Sequence, residues 1–210
     1  MSIKKAILFI DGSNTYHRLK ENGLYDFFSY KWLYKELRKK FDVISVFFYD
    51  ATKSSRIEKE GYEKQQQFHE DLRKEIPGVK IRTRKLKYLK VDGKVSSARR
   101  DAEFCDVCEQ KIDKFLQDAG LHKLSKEKGV DVLLVTDMIK LAFQEKYEVA
   151  LLLTGDADFV PAVEILPTLK KEVGNVHLFV GSSGELRNAC DSHILISCDR
   201  NNKCFLRYSS

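Results

Sequence analysis

Apolar residues gather in five short runs along the chain, at 6–10, 43–49, 149–154, 176–180 and 193–197. Each is rich in Val, Ile, Leu or Phe, and none alternates cleanly with polar residues. That pattern predicts parallel strands covered on both faces. Between them the period changes. Residues 30–40 repeat Trp32, Leu33 and Leu37 at helical spacing, and 56–75 run charged and unbroken up to Pro77. Residues 130–145 carry Val130, Leu133, Leu134, Met138, Leu141 and Ala142, and 159–173 open with Pro161, a residue suited to a first helical turn. Strand and helix in alternation predict a doubly wound, mainly parallel α/β sheet of about five strands with helices on both faces.

Residues 79–97 break the alternation. They read as an extended hairpin turning at Asp92-Gly93. Beyond it lie Cys105-x-x-Cys108 and an amphipathic stretch around 111–119. We treat 79–126 as an insertion into one domain spanning 1–210.

Charge sharpens that reading. The chain of 210 residues has a formal net charge of +6. Nine basic residues fall between Lys80 and Arg100 (Lys80, Arg82, Arg84, Lys85, Lys87, Lys90, Lys94, Arg99, Arg100) against one acid, Asp92. With that segment set aside, 28 basic residues face 30 acidic ones. A local basic stripe on a near-neutral body suits a polyanionic partner. The plainer reading is a solvated hairpin kept soluble by lysines.

In open α/β sheets, ligands bind at the carboxyl ends of the strands. The first run ends in Asp11-Gly12-Ser13-Asn14, the second in Asp50, the third in Gly155-Asp156-Ala157-Asp158 and the fourth in Gly181-Ser182-Ser183. Asp131 falls in the first turn of the helix predicted at 130. Any one of these aspartates alone reads as a helix cap or a turn residue. Together at one sheet edge they would repel unless cations neutralise them. Oxygen-only ligands suit Mg²⁺ or Mn²⁺, the ions of phosphoryl chemistry.

Phe9-Ile10-Asp11-Gly12-Ser13-Asn14, Lys128-Gly129-Val130-Asp131 and Leu153-Thr154-Gly155-Asp156-Ala157-Asp158-Phe159-Val160-Pro161 occur in that order. This series resembles the NYN domain family of PIN-like nucleases over about residues 3–197. The resemblance implies a PIN-like fold and a metal-dependent nuclease, most naturally an endoribonuclease acting on single-stranded or structured RNA rather than DNA. It implies Asp11, Asp131, Asp156 and Asp158 as metal ligands and, with Asn14, as the catalytic set. Ser13 and Asn14 would orient a phosphate or water. Asp50 and Ser182 would sit on the rim, and Arg82, Arg84, Lys85 and Lys87 would follow the phosphate backbone, with Tyr88 open to base stacking or to simple cross-strand packing. Asp137 resembles a recurrent acidic position, but six helical residues turn it about 240° from Asp131, so it ranks second.

Three other readings compete. A haloacid-dehalogenase-like phosphatase needs an acid two residues after Asp11, where Ser13 stands. Asp11-x-Ser13-x-Thr15 has the form of a metal-dependent adhesion site, which would leave the further acids and the basic segment without a role. A member of the same fold that binds nucleic acid without cutting it keeps every feature named so far.

The five cysteines are odd in number and lack the spacing of a disulfide scaffold, so they read as thiols or metal ligands. Cys105-x-x-Cys108 is half of a structural Zn²⁺ site. The other half would be Cys190 with His193, or Cys198 with Cys204, and the alternatives are small buried residues or a redox pair. No apolar run approaches the ~20 residues of a membrane helix. The opening AILFI run is too short for a signal peptide, so a soluble cytoplasmic protein is expected. Nothing in the sequence specifies an oligomer.

Overall fold

A computed structural model describes residues 3–90, 105, 107, 108, 110, 111, 114, 123–126, 129–199, 201 and 203–209. By their contacts, residues 1–84 and 129–210 form one compact unit and residues 85–128 another.

The larger unit is built on a seven-stranded sheet. Its strands are β1 (Lys5–Asp11), β2 (Asp42–Thr52), β3 (Lys80–Lys85), β6 (Val149–Leu153), β7 (Glu172–His177), β8 (Ser192–Cys198) and β9 (Cys204–Ser209), in the order β3-β2-β1-β6-β7-β8-β9. β1 pairs in parallel with β2 and β6, β6 with β7, and β7 with β8; β9 closes the edge antiparallel to β8. The fold is therefore the mainly parallel α/β type expected, with two more strands than the apolar runs disclose.

Strand alternation divides the core between two faces. Ala6, Leu8 and Ile10 join Leu19 of helix α1 (Gly12–Glu21), Leu33 and Leu37 of α2 (Tyr30–Leu37) and Leu72 of α3 (Lys59–Glu75) in one buried cluster. On the other face Phe9 stacks on Phe47, with ring centroids 5.7 Å apart, and meets Tyr147 edge-on. Helix α4 (Val130–Phe143) contacts β1 and β2 and buries Val130, Leu134, Met138 and Ala142, a set spaced by four. The buried Tyr147 hydroxyl donates to the Met138 carbonyl at 2.8 Å.

Three expectations need correction. The fourth strand is Glu172–His177, not 176–180. Leu178 stays buried, but Phe179 is 81% exposed, because the chain has left the sheet. Asn175, which falls between the expected helix and strand, is a fully buried strand residue whose amide donates to the Leu152 and Thr154 carbonyls. The helix expected at 159–173 is a chain of short turns: a 3-10 turn Ala157–Phe159, α5 (Val160–Val163) and a 3-10 turn Leu166–Leu169. The extended segment after Pro77 also divides. Lys80–Lys85 joins the main sheet beside β2, while β4 (Lys87–Lys90) pairs antiparallel with β5 (Lys123–Lys126) in the smaller unit. The Asp92-Gly93 turn lies outside the described residues, as does most of 111–119, so those expectations stand apart from the structure. Helix α6 (Gly184–Ala189) and strand β9 went unforeseen. Among the described residues no helix is long and apolar enough to cross a membrane.

Candidate active site

The parallel register brings the strand ends level. Asp11 pairs with Tyr49, the residue before Asp50, and Ile10 pairs with Leu153, the residue before Thr154. Asp11 is 3% exposed and caps α1: its Oδ1 accepts from the Asn14 backbone N–H at 3.1 Å. The helix's positive end therefore faces a buried carboxylate. Glycine follows because the space is filled; a Cβ on Gly12 would lie 2.6 Å from Phe48 Cζ and from the Tyr49 carbonyl oxygen.

A chain of hydrogen bonds runs from Asp11 to the second acidic motif. Thr154 Oγ1 donates to Asp11 Oδ2 at 3.1 Å and accepts from the Asp156 backbone N–H at 3.3 Å. Asn14 Oδ1 accepts from the Gly155 N–H at 2.9 Å. Asp156 Oδ1 accepts from the Asp158 N–H at 3.0 Å, capping the 3-10 turn. Two loops distant in sequence are thus locked together by neutral donors. Thr154 was part of the quoted motif but was given no role there; its hydroxyl turns out to join Asp11 to Asp156.

Asp131 completes the acidic group. Partial burial, then the charges of Asp156 and Asp158, push its carboxyl above the ordinary aspartate value. Asp131, Asp156 and Asp158 therefore share one electrostatic field, and Thr154 links Asp156 to buried Asp11. The donors are all oxygen, the chemistry a hard divalent cation prefers. Among the described residues, no three acidic, cysteine or histidine side chains stand close enough to hold one ion directly.

The remaining sequence candidates are placed as follows. Asp137 is engaged within the fold: its Oδ2 accepts from the Tyr49 hydroxyl at 3.1 Å, and Arg82 spans both oxygens at 3.0 and 3.3 Å. Burial, then the Asp137 charge, raises the Tyr49 phenol far above its usual range. Arg82 is thereby engaged within the fold, whereas Arg84, Lys85 and Lys87 are exposed. Asp50 ties β2 to α3, its Oδ2 meeting Gln65 Nε2 at 2.8 Å and buried His69 Nε2 at 2.9 Å. Ser182 Oγ accepts from Arg187 at 2.6 Å. Ser13 lies half-buried in the first turn of α1. Nothing is described of the Tyr88 side chain.

The cysteines require one correction. Cys198 and Cys204, opposite each other in the β8–β9 pair, form a disulfide, so they are neither thiols nor zinc donors. Cross-strand pairing across a short turn brings them together, a proximity invisible until β9 is known. Cys105 and Cys108 are exposed free thiols, and Cys190 is half-buried. Hydrogen bonds from the Cys108 backbone and thiol lower the Cys105 thiol, while burial pushes Cys190 up to about 12.

A parallel α/β sheet with aspartates gathered at its carboxyl edge defines the class of PIN-like domains. The NYN domain model matches residues 5–197, and the chain belongs to the NYN family. That family is one of PIN-like nucleases acting on nucleic acids, so membership supports a nuclease or nucleic-acid-related function. A solved structure of a protein of unknown function from Vibrio parahaemolyticus is similar over 97% of both chains, with a TM-score of 0.61 and 20% identity. At that identity the likeness speaks for the fold. No curated protein matches this chain.

Proposed function

We propose that this chain is a divalent-metal-dependent endoribonuclease. The observation that carries the reading is the hydrogen-bond chain that joins buried Asp11 through Thr154 to Asp156, with Asp131 raised in part by the charges of Asp156 and Asp158. A folded protein that keeps mutually repelling acids together is relieved by a cation. Asp11, Asp131, Asp156 and Asp158 would hold Mg²⁺ or Mn²⁺, some of them through water given their separation. Bound there, the ion would activate a water and stabilise charge on the phosphate and leaving oxygen.

The chain's own groups set the rest. Thr154 fixes the direction of the Asp11 carboxylate. Asn14 has its amide oxygen committed to Gly155, so its NH₂ is the part left to meet a phosphate oxygen, with the Ser13 hydroxyl beside it. Asp131 is preferred to Asp137, whose two oxygens serve Arg82 and Tyr49. Arg84, Lys85 and Lys87 would add sequence-independent attraction for the backbone. Asp50 and Ser182, both tied to internal partners, would border the substrate path and keep its walls rigid. A Zn²⁺ held in part by Cys105 and Cys108 would be structural and separate from the chemistry.

The second reading is a nucleic-acid-binding chain that does not cut. It is favoured by the separation of the acids, no three of which reach one ion directly. One experiment tests both. Labelled single-stranded RNA and DNA are incubated with Mn²⁺, Mg²⁺ or EDTA, beside Asp11→Asn and Asp156→Asn proteins. Metal-dependent cleavage of RNA, lost in both variants, is expected. RNA that is retained but left intact with either ion would transfer the reading to binding alone.

A further inference from the structure

Three buried polar atoms without a hydrogen-bond partner belong to residues that line one pocket. They are Thr15 Oγ1 and Arg18 Nε from α1, and His177 Nε2 from the end of β7. Thr15 is 2% exposed and His177 6%. The pocket also runs along Thr154 and Gly155, the residues that bond Asp11 and Asn14. Its floor is compact. At Gly181, where φ is +76°, an added Cβ would lie 2.3 Å from Arg18 Nη1, so the guanidinium crosses bare backbone there.

The chemistry of the three atoms restricts what fits. Arg18 Nε–H can only donate. His177 Nδ1 lies 3.0 Å from the Leu178 carbonyl oxygen, which can only accept, so that nitrogen carries the hydrogen. Burial holds the ring below the usual histidine range against the pull of that carbonyl, so it is neutral. Nε2 is then a bare acceptor. The Thr15 hydroxyl does either. A phosphate oxygen would face the Nε2 lone pair, an ammonium would face Arg18, and a methyl group would leave all three atoms unsatisfied. A hydroxyl, which accepts from Arg18 and donates to His177, satisfies the set.

We propose that this pocket is a subsite for the ribose 2′-hydroxyl of a bound nucleotide, read by Thr15, Arg18 and His177. It rests on the reading of the acidic cluster as the place where a phosphodiester is held, since the two share Thr154 and Gly155. The 2′-hydroxyl is the one group that separates RNA from DNA at a given sugar, and it both donates and accepts. The subsite gives this chain a physical basis for choosing RNA.

The test varies the ligand before the protein. The wild-type protein is titrated, in EDTA and in Ca²⁺, with one single-stranded sequence made as RNA and as its 2′-deoxy, 2′-fluoro and 2′-O-methyl forms, and binding is followed by fluorescence anisotropy. Cleavage of the same four is timed in Mn²⁺. RNA is expected to bind about tenfold tighter than the 2′-fluoro form, which is small but cannot donate. In Thr15→Val and His177→Phe proteins with unchanged circular dichroism, that ratio should fall towards one, and Thr15→Ser should restore it. Equal binding of all four forms, or variants that keep the full ratio, would overturn the subsite and leave the pocket to a structural water. Hydroxyl-selective binding without cleavage would keep the subsite and sink the nuclease reading. Equal cleavage of RNA and DNA would do the reverse, and a protein that binds none of the four loses both.

Discussion

Thr154 hands its hydroxyl hydrogen to Asp11 across two adjacent strand ends, 3.1 Å apart and 143 positions apart in sequence. The same oxygen receives the Asp156 N–H, so one side chain sets the relative position of the two acids proposed to be central. Thr154→Val keeps the volume and removes both bonds. It should lower kcat for metal-dependent RNA cleavage by about tenfold to a hundredfold while RNA binding in EDTA changes little. Thr154→Ser should restore most of the rate. A valine variant with full kcat would show that the acids hold their positions without it.

Asp137 and Asp131 separate a structural acid from a proposed functional one. Asp137→Ala leaves the buried Tyr49 hydroxyl without its acceptor and frees Arg82. A loss of about 1–2 kcal/mol is expected, or roughly 2–8 °C in Tm, measured by thermal unfolding. Asp131→Asn should instead leave Tm unchanged or slightly raised, because it removes a carboxylate crowded by Asp156 and Asp158, and it should abolish cleavage. The opposite assignment would follow if Asp137→Ala killed activity at unchanged Tm.

His177 gives the fold a defined acid sensitivity. Its folded pKa is depressed below the free value of 6.5, chiefly by burial. In the unfolded chain the ring takes up its proton first as pH falls, so the stability contributed by neutral His177 is complete above about pH 6.5 and is lost on descending through that value to the folded pKa. Unfolding followed from pH 8 to pH 5 should show wild type losing more stability than His177→Gln over the lower part of that range. Parallel curves would place the acid sensitivity elsewhere.

The cysteines should label in a fixed order. Cys105 is exposed with its thiol lowered by Cys108, whereas Cys190 is half-buried and raised to about 12. Alkylation at pH 7.5 followed by mass spectrometry should therefore modify Cys105 first and Cys190 last. Cys198 and Cys204 should label only after reduction. Early labelling of Cys198 in unreduced protein would contradict the hairpin disulfide.

Much of this could be read from the chain alone because the two strongest signals are local. Uninterrupted apolar runs such as 6–10 mark strands buried on both faces, and an aspartate after such a run is placed at the sheet edge by topology without further information. β7 was misplaced because its burial includes Asn175, whose amide is satisfied by carbonyls of a neighbouring strand that no local window contains. β9 escaped because an edge strand need bury little, and most of its residues are exposed. The partners of Asp50 and Asp137 are likewise set by long-range packing: His69 and Gln65 on α3, Arg82 on β3. The convergence of Thr15, Arg18 and His177 is of the same kind, since α1 and the end of β7 meet only in the folded sheet.

The interior strand β1 carries a consequence for how the molecule comes into being. Ala6 pairs with Val149, and Asp11 has its Thr154 partner only once the chain has been made that far. Contacts of such sequence separation make folding slow, and a nascent chain would hold β1 with one edge open while the whole basic segment was synthesised. A ribosome-bound chain would therefore carry its basic residues for some time before Asp156 and Asp158 had joined Asp11 at the sheet edge.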